Sequence, residues 1–243
     1  MDIALLAVLI FLAALLYSSV GHAGASGYLA AMALFSVAPE TMKPAALTLN
    51  LLVASIGSWR YIRAGQFSFR LFWPLALASA PLAFIGGSIM PPDQLYKPIV
   101  GAVLLYAAWR FIQPLPDKPL LEQPPPIWLM LVVGAAIGFL SGLTGVGGGI
   151  FLSPVLVLFA WAPLRQASGV AALFILLNSA SGLAGLASQG IALPEGVLWW
   201  AGAAVAGALI GTELGSRRLG IPALRKLLGA VLVIAGVKML FAV

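Results

Sequence analysis

Two glycine-rich stretches interrupt the apolar sequence, SSVGHAGASGYL at residues 18–29 and SGLTGVGGGIFL at residues 141–152. A helix that restarts after such a break turns its unpaired N–H groups and partial positive charge toward whatever faces it. Glycine permits the unusual backbone angles and close approach that this needs. Gly21, Gly24, Gly145, Gly147 and Gly148 are candidates for the backbone cradle, and Ser18, Ser19, Ser26, Ser141 and Thr144 for hydroxyl donors. The chemistry expected is binding of a small anion at helix N-termini, without a fixed charge in the site. The helices that enter each break also end there, and their carbonyls favour cations, so the dipoles alone leave the sign of the ligand open.

Three further residues join this set. His22 is the sole histidine and sits inside the first break, where an imidazole could couple transport to protons or touch the anion. Asn50 and Asn178 follow the two breaks at similar distances, and an amide inside a membrane needs a partner, either scaffold or substrate. Ser55, Ser58, Ser179 and Ser181 are weaker candidates. Glu213 reads as an interfacial partner of Arg217 four residues on. Glu40 and Glu195 suit helix starts, and Trp73, Tyr96, Trp128, Trp199 and Trp200 read as interfacial aromatics.

The breaks lie in a chain of 243 residues that is 62% hydrophobic and 8% charged, with mean hydropathy +1.07. Soluble domains carry about 25% charged residues, so the composition is that of an integral membrane protein. The net charge of +6 is scattered at segment ends. That distribution suits anionic lipid rather than nucleic acid. With no cysteine, thiol chemistry and thiolate metal sites are excluded. No phosphate-binding loop, dinucleotide fingerprint or metal-ligand cluster appears, so no cofactor or metal is expected. The start of the chain lacks a basic region, and the first apolar segment is expected to be retained.

Ten apolar segments are expected, near 3–17, 28–38, 44–59, 71–90 and 98–112, then 127–140, 150–160, 167–187, 196–214 and 224–243. The reading is an all-α polytopic membrane protein of two repeats, 1–113 and 127–243, joined by a proline-rich cytoplasmic linker at 114–126. Each repeat has about five helical segments and opens on a broken or re-entrant helix. Ser18 aligns with Ser141, Gly65 with Gly190, Gly86 with Gly211, and Arg110 with Lys238. Basic residues set orientation, because Lys- and Arg-rich loops stay cytoplasmic. Arg60, Arg63 and Arg70 mark one loop of the first half, whereas Arg217, Arg218, Arg225 and Lys226 mark a different loop of the second. The halves therefore read as inserted in opposite senses, an inverted repeat with both breaks meeting at the midplane. Both termini and Gly190 fall outside, and the linker with Lys118 falls inside. Lys43 and Lys238 fall on the outer side, against the rule.

The run from Gly138 to Gly149, G-x-x-S-G-x-x-G-x-G-G-G, resembles the TauE/SafE family of sulfite exporters, as do the A-x-G-V-A-A-L run ending at Leu173 and the duplicated halves. The first-half version, from Gly21 to Gly27, departs from the glycine-rich form and carries His22. The resemblance implies a multi-pass permease of the bacterial inner membrane for sulfite, thiosulfate or an organosulfonate such as sulfoacetate. Transport would proceed by alternating access around the two breaks. An anion channel with the same pocket is the alternative. An intramembrane serine protease is a third reading, because Gly24-Ala-Ser-Gly27 matches the motif around a rhomboid nucleophile. It lacks the later histidine that a serine base requires.

Overall fold

The computed structural model describes residues 3–19, 22–113, 125–191, 193–194, 196–216 and 222–241. Among them are ten helices and no strand. They are α1 (Ile3–Ser19), α2 (Ala25–Leu34), α3 (Pro39–Arg63), α4 (Phe69–Ser88), α5 (Asp93–Ile112), α6 (Ile127–Thr144), α7 (Gly149–Leu158), α8 (Leu164–Ser188), α9 (Val197–Ser216) and α10 (Pro222–Phe241). α4, α6 and α8 are each long and apolar enough to cross a membrane. The outer surface matches that setting: Leu198, Trp199, Phe69 and Phe241 are among many large apolar side chains left exposed.

Helix length follows one series twice. The first five helices have 17, 10, 25, 20 and 20 residues, and the next five have 18, 10, 25, 20 and 20. Local geometry repeats as well. α2 and α7 both stop at a phenylalanine, Phe35 or Phe159, and the residue after it turns left-handed, at Ser36 (φ 54) and Ala160 (φ 56). α3 and α8 both end two residues before a left-handed glycine, Gly65 and Gly190. A ten-residue helix is about 15 Å long, half the hydrocarbon thickness. α2 and α7 are therefore half-crossings.

The two halves interleave. α1 packs on α9, α4 on α6, α3 on α8 and α5 on α10. Small residues set these contacts. Gly134, Gly138 and Gly142 of α6 lie against the carbonyls of Leu75, Ser79 and Ala83 of α4, so closely that any side chain would collide with backbone. Gly207 and Gly211 of α9 meet the carbonyls of Phe11 and Leu15 of α1 in the same way. Both series advance by four residues on both helices, so each pair runs parallel, with the close backbone approach of small-xxx-small packing. α3 and α8 run antiparallel, with Leu47 beside Gly182, Asn50 near Ile175 and Ser179, and Gly57 facing Ala172. α5 and α10 are likewise antiparallel, Gly101 lying against Gly236 and Leu240, and Leu105 against Gly236. One large apolar cluster gathers α1, α2, α3, α5, α9 and α10, and a smaller one lies between α4, α6, α7 and α8.

Lys43 and Lys238, which sat badly with the charge bias, are both spent on helix C-termini. The Lys43 ammonium donates to the carbonyls of Gly86, Gly87 and Ile89 at 3.0, 2.9 and 2.7 Å. Lys238 donates to Leu34 O at 2.8 Å and Ser36 Oγ at 2.9 Å, where α2 ends. A cation at such an end is stabilised by the carbonyl dipoles.

Gly142→Ala drives a methyl into the backbone of α4 and is expected to destabilise by about 1–3 kcal/mol or more. Gly202→Ala, which meets open space, should leave the melting temperature of the detergent-solubilised protein unchanged or raise it. Equal melting of the two variants would contradict the packing described.

Candidate functional site

The second break is built by consecutive left-handed glycines. α6 ends at Gly145 (φ 84), whose N–H bonds Ser141 O at 2.9 Å, and Gly147 (φ 81) and Gly148 (φ 83) turn the chain into α7. A residue with a Cβ is strained at each of these angles. The turn leaves the first N–H groups of α7 without helical acceptors, inside the protein. The opposing carbonyl end of α6 is partly neutralised, because Tyr96 donates to Thr144 O at 2.9 Å.

Four polar side chains surround this turn. Asn50 Nδ2 and Ser179 Oγ flank Gly147, and Asn178 Nδ2 flanks Gly148. Ser141 stands on the last full turn of α6. All four residues are fully buried. Asn178 Oδ1 accepts from Ser79 Oγ at 2.9 Å. The other polar atoms of the set, namely both amide atoms of Asn50, Asn178 Nδ2, Ser141 Oγ and Ser179 Oγ, have no hydrogen-bond partner in the protein. Each such atom costs about 1–3 kcal/mol, and a buried polar group is normally satisfied. Several of them are gathered at one helix N-terminus, an arrangement rich in neutral donors.

The first break is of another kind. Gly24 (φ 104) starts α2, but the ring of Tyr28 backs it and the Tyr28 hydroxyl donates to Ala23 O at 2.5 Å. Tyr17 packs against Gly27 and its hydroxyl is bonded to Ser26 Oγ. The His22 N–H bonds Tyr17 O at 2.9 Å, and Ser19 Oγ returns to Leu16 O. Two tyrosines thus fill the break, and one of them answers the Ala23 carbonyl. Taking up the Ser26 hydroxyl in this way removes support for the protease reading. Gly21 lies outside the described residues.

The first break does contribute to a small cleft. Ser18, with an unpartnered and buried Oγ, and half-buried His22 line it with Ala54 and Gly57 of α3, Ala172 of α8 and Thr212 of α9. Arg60 donates to the Thr212 hydroxyl. The inner end of the cleft, at Val53 and Ala54, is one helical turn from Asn50. The expected meeting of the two breaks takes this form: both border the central apolar cluster, where Ala23 and Ala25 lie with Val146 and Ile150. Their polar groups make two sets, the cleft and the turn.

Thr144 differs from expectation, because its hydroxyl is committed to Leu140 O at 2.7 Å. Trp200 and Tyr96, expected at the interface, are each 1% exposed; Trp73, Trp128 and Trp199 are exposed. Both rings belong to the large apolar cluster, and Tyr96 is turned inward to donate to Thr144 O. Glu40 lies in the first turn of α3, and Glu213 is exposed on α9. Arg217 and Glu195 lie outside the described residues. Sequence reasoning ranked Ser179 low and missed Ser79, Tyr17 and the internal role of Lys43. The signal for Tyr17 was a phenol adjoining a break otherwise made of small residues.

The family described as "Sulfite exporter TauE/SafE" matches residues 6–239. The chain is 40% identical over 240 residues to a protein of Sinorhizobium fredii (strain NBRC 101917 / NGR234) named "Probable membrane transporter protein y4hK", with 97% of each chain covered. No solved structure matches it.

The Tyr17–Ser26 bond is expected to behave as one unit. Tyr17→Phe and Ser26→Ala should each destabilise by about 1 kcal/mol, and the double variant by little more than either single change. Additive losses in detergent melting would show that the two hydroxyls do not depend on each other.

Proposed function

Since the chain belongs to the sulfite exporter TauE/SafE family and is a membrane transporter, we propose that it is a secondary permease of a small anion, specifically sulfite, thiosulfate or an organosulfonate such as sulfoacetate. The observation that carries this reading is the set of unpartnered amides and hydroxyls of Asn50, Asn178, Ser141 and Ser179 around the start of α7. A tetrahedral or pyramidal oxyanion presents several acceptors at once, and neutral donors together with a helix N-terminus suit it. The cleft at Ser18 and His22 is the route to that site from one side.

Alternating access is supported by the architecture. The repeated helix lengths and end geometries argue for an internal duplication. The antiparallel pairs α3–α8 and α5–α10 argue that its halves are inverted, the arrangement in which broken helices hold substrate near the midplane. The setting that follows is a bacterial inner membrane. His22, half-buried in the cleft, is the candidate for proton coupling.

Uptake of radiolabelled sulfite, thiosulfate or sulfoacetate by reconstituted vesicles tests the reading. Asn50→Ala and Asn178→Ala should each weaken substrate affinity about ten- to a hundredfold, the equivalent of about 1.4–3 kcal/mol. If the wild type takes up none of these anions, or the asparagine variants match it, the assignment fails. His22→Gln is expected to keep substrate exchange while losing the part of uptake driven by an imposed proton gradient. An unchanged response to that gradient would remove His22 from coupling.

A further inference from the structure

The amides and hydroxyls at the second break are neutral, and an amide can present either its donor or its acceptor edge. They do not by themselves choose an anion over a neutral or cationic solute. Lys43 is the nearest residue that can. Its side chain is fully buried, and no carboxylate lies within ion-pair distance of it among the described residues. Three carbonyls accept from its nitrogen at 2.7–3.0 Å. Three donated bonds need three hydrogens, which the ammonium has and the neutral amine lacks. The geometry is that of a charged group.

Its position ties that charge to the site. The backbone of Lys43 lies directly against Gly145, the first residue of the break. Asn50 follows it by seven residues, two turns on the same face of α3 and about 10 Å along the axis. One of the carbonyls it binds belongs to Gly87, which is packed against Gly142 and Gly182 where α4, α6 and α8 meet. Ser141 adjoins Gly142, and Asn178 is one turn from Gly182.

We propose that Lys43 is the charge-selectivity determinant of this site, a buried cation that holds the neutral donor cluster at positive potential so that it accepts anions. It touches no solute and acts through space, as a positioning residue acts through contact. This rests on the site assigned above. A unit charge about 10 Å away in a protein interior changes the affinity of a monoanion by about 10- to 20-fold. The C-terminus of α4 offsets about half an elementary charge in the wild type, but it stays when the side chain is changed, so loss of the lysine charge costs a monoanion the full factor and a dianion about 100- to 400-fold.

The test is calorimetric binding to the purified full-length protein of methanesulfonate, with one charge, and sulfoacetate, with two. Lys43→Met should weaken the two about 10- to 20-fold and about 100- to 400-fold, and Lys43→Arg should stay near wild type. A purely structural role would weaken both probes by the same factor. Ile89→Glu is the second variant. Ile89 is 41% exposed and its carbonyl already holds the ammonium, so a carboxylate there cancels the field while leaving Lys43 in place. It should reproduce the unequal losses even if Lys43→Met does not fold. Equal losses for the two probes, or wild-type affinities in Ile89→Glu, overturn the inference. Asn50→Ala separates the two levels: if it leaves sulfoacetate binding intact, the site is wrong. If it abolishes binding while the charge variants do nothing, the site stands and the role of Lys43 falls.

Discussion

A peptide group in the middle of a bilayer has no water to bond, so every N–H and C=O there must be answered by the protein. The chain meets this demand with helices almost everywhere and breaks it in two places. Each break creates a debt of backbone polar groups that must be met locally. At the first, the Tyr28 hydroxyl answers the Ala23 carbonyl, while Tyr17 and Ser26 pair with each other. At the second, the incoming carbonyl end is held by Tyr96, while the outgoing N–H groups face amides and hydroxyls that lack partners of their own. The same constraint thus yields a closed element in one half and a receptive one in the other.

The glycines divide along the same line. Those of α6 at 134, 138 and 142 are helical and let α4 approach to backbone contact; those at 145, 147 and 148 are left-handed and turn the chain. Within the run from Gly138 to Gly149 both jobs are done side by side. The packing glycines fix where α4 ends, and with it the three carbonyls that hold Lys43. The turning glycines fix where α7 begins. Dense packing and the polar turn are therefore one construction, and a substitution in either set moves the other.

Much of this was readable from the chain. The ten segments and the two breaks follow from runs of apolar residues interrupted by glycine, proline and charge, and the helical boundaries fall close to the observed ones; most of the linker expected at 114–126 lies outside the described residues. Asn50, Asn178 and Ser141 were legible because an amide or hydroxyl in such surroundings is conspicuous. What was not legible depends on contacts between distant helices. Lys43 looked like a misplaced surface charge because its acceptors lie 43 to 46 residues away. Tyr96 and Trp200 carried an interfacial pattern, and only the apolar cluster built by other helices, with the Thr144 carbonyl as acceptor for Tyr96, takes them inward. The inequality of the two breaks was visible in His22, but its main cause is Tyr17 and Tyr28, whose rings act only once α2 has folded back on α1.

The bond from Lys238 to the end of α2 has a consequence for how the molecule is made. The carbonyl of Leu34 waits for a donor that lies 204 residues later. α1 likewise waits for α9, and α5 for α10. The first half alone has an unanswered helix end and leaves the faces of α1 and α5 uncovered. The two halves therefore complete each other, and the first closes only when α9 and α10 have packed against it.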